Sequence, residues 1–385
     1  MSVVGARPNF MKIAPFARAV DTHNAKNAET CPIEHFLVHT GQHYDRNMSE
    51  SFFKTLDIPE PDVDLGIGSG THAEQVGATM IAFEKVLREW RPDWVVVVGD
   101  VNATCACSIT AKKEHVHLAH IEAGLRSFDM RMPEEINRIV TDRLADLLFS
   151  PDESGDRNLL NEGRQPESIR CVGNIMIDTL EANRAKAAAL DIEEIVCRRR
   201  IDAGETPDLS GGFAVMTLHR PSNVDTRDTL AGLVHYFIGD LSRSLPIVWT
   251  VHPRTRERLR EFGMWDAVAA CPGILLLDPI EYREMLKLNM GAALMLTDSG
   301  GLQEECCVFG TPCITLRENT ERPITLVENG GVNSLAGNDP GRISAVLQDM
   351  SPRTGAGAKT EHRPPLWDGH TAERIVEELS IFRVP

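Results

Sequence analysis

The chain is poor in aromatic residues, in basic charge and in long apolar runs. Aromatics make up 5% of its 385 residues, too few for the stacking platforms that hold single-stranded nucleic acid or long glycans. Lys and Arg number 40 against 56 Asp and Glu, a formal net charge of −16, which argues against a nucleic-acid footprint. An anion can then be bound only through a local cluster of cations and helix N-termini. No apolar run reaches the roughly 18 residues of a membrane helix, and no basic-then-apolar leader opens the chain. There are nine cysteines but no CxxC pair; the closest are Cys105/Cys107 and the adjacent Cys306/Cys307. That spacing suits neither a disulfide framework nor a zinc site and points to buried thiols in a reducing compartment. A cytoplasmic protein is expected, with no metal, no nucleic-acid partner and no membrane partner.

What is present is an alternation. At 42% hydrophobic and 25% charged the composition is that of an ordinary globular protein, and the length exceeds one typical core, so two domains are expected. Short β-branched runs at 93–100, 117–124, 146–150 and 169–174 are separated by amphipathic stretches such as "THAEQVGATMIAFEKVLREW". The pattern restarts at 211–220, 246–253, 273–279, 292–301 and 312–318. Alternation of this kind predicts βαβ units, hence an α/β fold of two doubly wound parallel-sheet domains. The expected division is 1–172, 173–365 and a terminal helix, 366–385, packing back on the first domain, with a charged helical connector over roughly 180–210. "MSVVG" is short for a first strand, and "TGAGAKT" (354–360) reads as a loop or linker.

Ligands of open α/β sheets sit at the carboxyl ends of strands, and several motifs fall there. "VGARPNFMK" places Arg7 and Lys12 near a helix start, either an anion site or ordinary surface cations. "VVGD" and "HIEAG" put Asp100 and Glu122 at strand ends. "MPEEINR" puts Pro133 at the first helical position, Glu134 and Glu135 in the first turn, and Arg138 at i+4 from Glu134; taken alone, these two read as a plain surface pair. "TLHRPSN" supplies His219, whereas His252, Arg254 and Arg256 read most simply as a solvated basic face. In "TDSGGLQEE", Gly300 and Gly301 allow close backbone approach, Ser299 can cap or donate, and Glu305 can hold vicinal ribose hydroxyls. The loop lacks the Lys of a Walker motif, which argues against NTP hydrolysis. Asp100, Glu122 and Glu134 are expected to line one cleft opposite the second domain's phosphate loop.

The set "GARPNFMKIAP", "TGQHYD", "VVGDVNATCA", "HIEAGLRS", "MPEEINR", "VGNIMIDTL", "LHRPSN", "LTDSGGLQEE" and "TERP" resembles the non-hydrolysing UDP-N-acetylglucosamine 2-epimerases over nearly the whole chain. The resemblance implies a glycosyltransferase-B type architecture, two Rossmann-like domains around a cleft, as a homodimer needing no cofactor. It implies interconversion of UDP-GlcNAc and UDP-ManNAc, a reaction of cell-surface polysaccharide synthesis, by elimination of UDP to 2-acetamidoglucal and re-addition. By position it implies Asp100, Glu122 and Glu134 as catalytic carboxylates, with Arg138 and His219 beside them. Arg7, Lys12, Ser299, Gly300 and Glu305 match positions associated with UDP. The chain departs from many members at Asn9 and Ile324, where they have Glu, and at Asp45, where an activator pocket that includes Gln42 would need a second Gln. Those departures leave room for a 2,3-diacetamido UDP sugar. A hydrolysing 2-epimerase, a glycosyltransferase of the same fold and a silent UDP-sugar sensor are the competing readings; the sensor would predict a lost core carboxylate, and none is missing.

Overall fold

The computed structural model describes residues 1–385 except 28, 30, 42–59, 203, 205, 351–360 and 383–385, and leaves the side chains of Arg7 and Pro8 undescribed. The "TGAGAKT" stretch, Gln42 and Asp45 therefore lie outside the described residues. The chain divides into two compact units: Met1–Thr179 with the segment from Pro364 onward, and Leu180–Arg363.

The first unit is built on seven parallel strands: β1 (Ser2–Val4), β2 (Leu37–His39), β3 (Val63–Asp64), β4 (Trp94–Val98), β5 (His117–Ile121), β6 (Leu147–Ser150) and β7 (Ile169–Cys171), in the order β3-β2-β1-β4-β5-β6-β7. β4 reads WVVVV and is buried from its second residue on, as a strand covered on both faces must be. β1 has only three residues, yet it pairs with both β2 and β4 and so lies at the switch in strand order. The helix α1 (Arg7–Asn27) leaves it directly. Pro15 inside α1 cannot donate to the Met11 carbonyl, which accepts the Thr179 hydroxyl instead. The helix α2 (His72–Trp90) opens with a full capping box, Thr71 and Glu74 bonding to each other's backbone N–H. The helices α3 (Asn102–Lys113) and α4 (Pro133–Leu144) follow β4 and β5.

The helix α5 (Ile175–Ala188) runs across the division between the units. The terminal helix α7 (Thr371–Ile381) packs on α1, and the buried carboxylate of Asp178 accepts the N–H groups of Thr371 and Ala372 at 3.1 and 2.7 Å.

The second unit repeats the plan with six parallel strands: β8 (Ala214–Thr217), β9 (Ile247–Thr250), β10 (Ile274–Leu277), β11 (Leu294–Thr297), β12 (Cys313–Thr315) and β13 (Asn333–Leu335), ordered β10-β9-β8-β11-β12-β13. Its core has two layers. Ala214 and Met216 face one cluster, with Phe237 and Trp249. Phe213 and Val215 face another, with Leu288 and Cys306. The period of two within β8 thus fills both faces of the sheet. The helix α6 (Gly300–Phe309) leaves the end of β11.

Candidate active site

Two strand ends in the first unit deliver acids. After β4 the chain turns at Gly99, whose φ of +67° is left-handed. A Cβ there would come within 2.9 Å of Lys12 Nζ and 3.5 Å of Glu122 Oε2, so glycine lets the turn close against both groups. Asp100 follows with a side chain 32% exposed. After β5 comes Glu122 at φ +70°, a conformation that costs a non-glycine residue about 1–3 kcal/mol. Its Oε2 accepts the buried Lys12 ammonium, while its Oε1 is buried with no hydrogen-bond partner. Backbone strain together with an unsatisfied buried carboxylate oxygen is what a group kept for chemistry looks like.

The charged stretch 120–142 turns inward as two ion networks. In one, His120 Nδ1 lies 2.6 Å from Asp142 Oδ1, and its Nε2 lies 2.9 Å from the Gly99 carbonyl. Asp142 Oδ2 takes Arg126 Nη1 at 2.7 Å and the Gly124 N–H at 3.0 Å. Burial alone would raise the Asp142 carboxyl; the His120 and Arg126 charges outweigh it and hold it below its usual range. In the other, Arg138 bridges Asp100 and Glu135. Glu135 also accepts the N–H groups of Ser127 and Phe128 at 3.0 and 2.8 Å. Against the push of burial, those bonds and Arg138 keep its carboxyl low.

Glu134 is not in this network. The sequence pairs Arg138 with Glu134 at i,i+4, but the structure pairs it with Glu135 at i,i+3. The phase of α4 sends Glu135 under the 127–128 loop, where N–H donors wait, and leaves Glu134 half-exposed with no hydrogen bond or ion pair among the described residues.

In the second unit His219 follows β8. Its Nδ1 lies 2.7 Å from Asp298 Oδ1. Asp298 is wholly buried and also accepts the N–H groups of His219 and Arg220 and the Asn223 amide at 2.9, 2.8 and 3.0 Å. Although burial would raise this carboxyl, these donors hold it low. Ser299 is the N-cap of α6, yet its hydroxyl makes no capping bond. Next to it a Cβ on Gly300 would meet Arg322 Nη1 at 2.6 Å and Glu321 Oε1 at 2.8 Å. Arg322 donates to Glu304 at 2.6 Å and pairs with Glu321, which Arg317 also holds at 2.8 Å. Burial opposes ionisation of Glu321, but Arg322 and Arg317 win and depress it strongly. Glu305 lies inside α6, its Oε2 buried without a partner and the equally unpartnered Tyr282 hydroxyl near it. Burial, aided by the Glu304 charge, pushes its carboxyl up to about 8.

A family model described as UDP-N-acetylglucosamine 2-epimerase matches residues 25–380. The chain belongs to the UDP-N-acetylglucosamine 2-epimerase family. Within it, the UDP-N-acetylglucosamine 2-epimerase of Methanocaldococcus jannaschii is 38% identical over 380 residues, 98% of each chain. A crystal structure of the enzyme from that organism, in complex with UDP-GlcNAc and UDP, matches with a TM-score of 0.84 at 38% identity, covering 99% of both chains. The UDP-2,3-diacetamido-2,3-dideoxy-D-glucuronate 2-epimerase of Pseudomonas aeruginosa is also 38% identical, over 386 residues and 99% of each chain.

Measured against this epimerase family, the expected residues other than Glu134 fall into three groups. Lys12, Asp100, Glu122 and Arg138 are linked through Gly99 and the ion pairs at one end of the first sheet. His219, Ser299, Gly300 and Glu305 follow strands of the second unit. Arg7 opens α1, but its side chain lies outside the described residues. Asn9, a departure from many members, is occupied locally: its Oδ1 accepts the Gly5 and Ala6 N–H groups and its Nδ2 donates to the Val98 carbonyl at 2.8 Å. The sequence reading passed over Glu135, Asp298, Glu304 and Arg322. All four stand in quoted motifs; Glu135 and Glu304 each adjoin a singled-out glutamate, and nothing in the spacing says which of two adjacent charges faces inward. No group of three His, Cys, Asp or Glu able to hold a metal occurs among the described residues, and none of the helices described is long and apolar enough to cross a membrane.

Proposed function

We propose that this protein interconverts UDP-GlcNAc and UDP-ManNAc. C2–H of the sugar is not adjacent to a carbonyl, so direct deprotonation is very unfavourable. Elimination avoids the problem: the C2–H and C1–O bonds break, the C–H electron pair becomes the C1=C2 bond, and UDP leaves with the C1–O pair. Protonation of 2-acetamidoglucal on the opposite face and return of UDP complete the inversion. Two ring faces call for more than one acid–base group, which the carboxylates of the first unit supply. The departing diphosphate calls for donors and positive charge, which the Ser299 hydroxyl, the Gly300 and Gly301 N–H groups and the positive end of α6 supply. The observation that carries the reading is Glu122, strained, buried and with one carboxylate oxygen unmet.

The test is incubation with UDP-GlcNAc in D₂O followed by NMR. Deuterium at C2 of both intact UDP sugars is the expected result. Free sugar would make the protein a hydrolase, and no exchange at all would end the proposal. A second reading is epimerisation of a UDP-2,3-diacetamido sugar, favoured by the P. aeruginosa relative, whose 38% identity equals that of the M. jannaschii enzyme. Offering both sugars to one preparation decides between them. The nine free cysteines support a reducing, cytoplasmic setting, and the expected homodimer is checked by light scattering.

A further inference from the structure

We infer that His120 is a buried imidazolium whose two N–H groups lock the turns presenting Asp100 and Glu122. It is a positioning residue for the proposed reaction, and the inference rests on that reading.

The argument begins with acceptors. His120 is 0% exposed, and each ring nitrogen faces an oxygen that can only accept: Asp142 Oδ1 at 2.6 Å and the Gly99 carbonyl at 2.9 Å. A neutral ring has one N–H and one lone pair. In either tautomer it would press that lone pair against an oxygen, out of reach of bulk solvent. Only the doubly protonated ring satisfies both contacts.

The consequence is geometric. Nε2–H holds the Gly99 carbonyl, one residue before Asp100. Through Nδ1–H the ring fixes Asp142, whose other oxygen holds the Gly124 N–H, two residues after Glu122. Gly99, Glu122 and Gly124 all have left-handed φ, +67°, +70° and +83°. Neither turn is helix or strand; the Gly99 N–H to the Ile121 carbonyl at 3.1 Å and the Asn158 amide to the Gly124 carbonyl at 2.9 Å help to hold them, and the buried ring ties both. A misplacement of about 1 Å costs on the order of 100-fold in rate, so these two bonds matter to turnover although His120 touches no substrate.

The experiment compares the full-length protein with His120→Gln. In the wild type, ¹⁵N NMR of the His120 ring under the conditions of the activity assay is expected to show both nitrogens protonated; a neutral tautomer overturns the inference. In His120→Gln, amide exchange should accelerate at 99–100 and 122–124, and kcat on UDP-GlcNAc should fall about 100-fold with KM and UDP affinity within threefold. Unchanged exchange at those turns, or a kcat per folded molecule within threefold of wild type, would reduce His120 to a structural residue and overturn the positioning role. Wild-type protein inactive on any UDP sugar would instead sink the proposed function, while the ring protonation and the turn exchange would still judge the lock.

Discussion

Glu122 shows what one residue reveals and conceals. Its place at a strand end is visible in "HIEAG", but its φ of +70° and its unmet Oε1 are properties of packing. Replacing it by Gln keeps the shape and removes the charge; kcat should fall by about 10²–10⁴-fold with UDP affinity retained, as steady-state kinetics and calorimetry together would show. Glu134 and Glu135 mark the limit of sequence reading at this scale. Both can reach Arg138, since i+3 and i+4 are equally near on a helix, and only the N–H groups of the 127–128 loop decide for Glu135. Glu305 makes a different prediction. Its folded pKa, about 8, lies above the ordinary carboxylate value. The native state therefore keeps a proton that the unfolded chain has lost, and the stabilisation present in acid disappears as pH rises through 8. At about 1.4 kcal/mol per unit, the effect is on the order of several kcal/mol. Glu305→Gln should raise Tm at pH 8.5 and change it little at pH 5, as a pH series of thermal melts would record.

At the scale of elements, the sequence was legible where one force dominates. β4 is a run of four valines, and a strand buried on both faces has no other simple reading. α2 declares its start through Thr71 and Glu74. β1 was harder, because three residues carry little pattern; pairing with β2 and β4 gives it its place. Caps formed by distant residues were invisible. Asp178 supplies the N-terminal bonds of α7 from 193 and 194 residues away, and no local rule reports that. Asp178→Ala should cost about 1–2 kcal/mol, the usual cost of losing a cap, with amide protection falling first in 371–381. A uniform loss of protection throughout the first unit would show that the cap acts through the core instead.

At the scale of the molecule, alternating runs announced two parallel sheets, and strand orders of the 3-2-1-4-5-6 type follow from short connections and a switch point. Composition points to buried thiols, and the structure buries five of the nine, Cys105, Cys107, Cys306, Cys307 and Cys313, while Cys31 and Cys197 are exposed; all nine are free. Reductant should leave Tm unchanged. A thiol reagent should label Cys31 and Cys197, both exposed, before Cys107, Cys306, Cys307 and Cys313; burial drives the Cys107 and Cys307 thiols well above their ordinary range. The second unit is one continuous stretch, but the first borrows α7 from far down the chain. Trp367 donates its indole N–H to the Pro151 carbonyl at 3.0 Å, and the backbone at Leu366 closes over Gly173. A ribosome releases these pieces only after the whole second unit. The half of the protein made first must therefore wait, with the seat for its final helix exposed, while the half made second has every residue it needs to fold ahead of it.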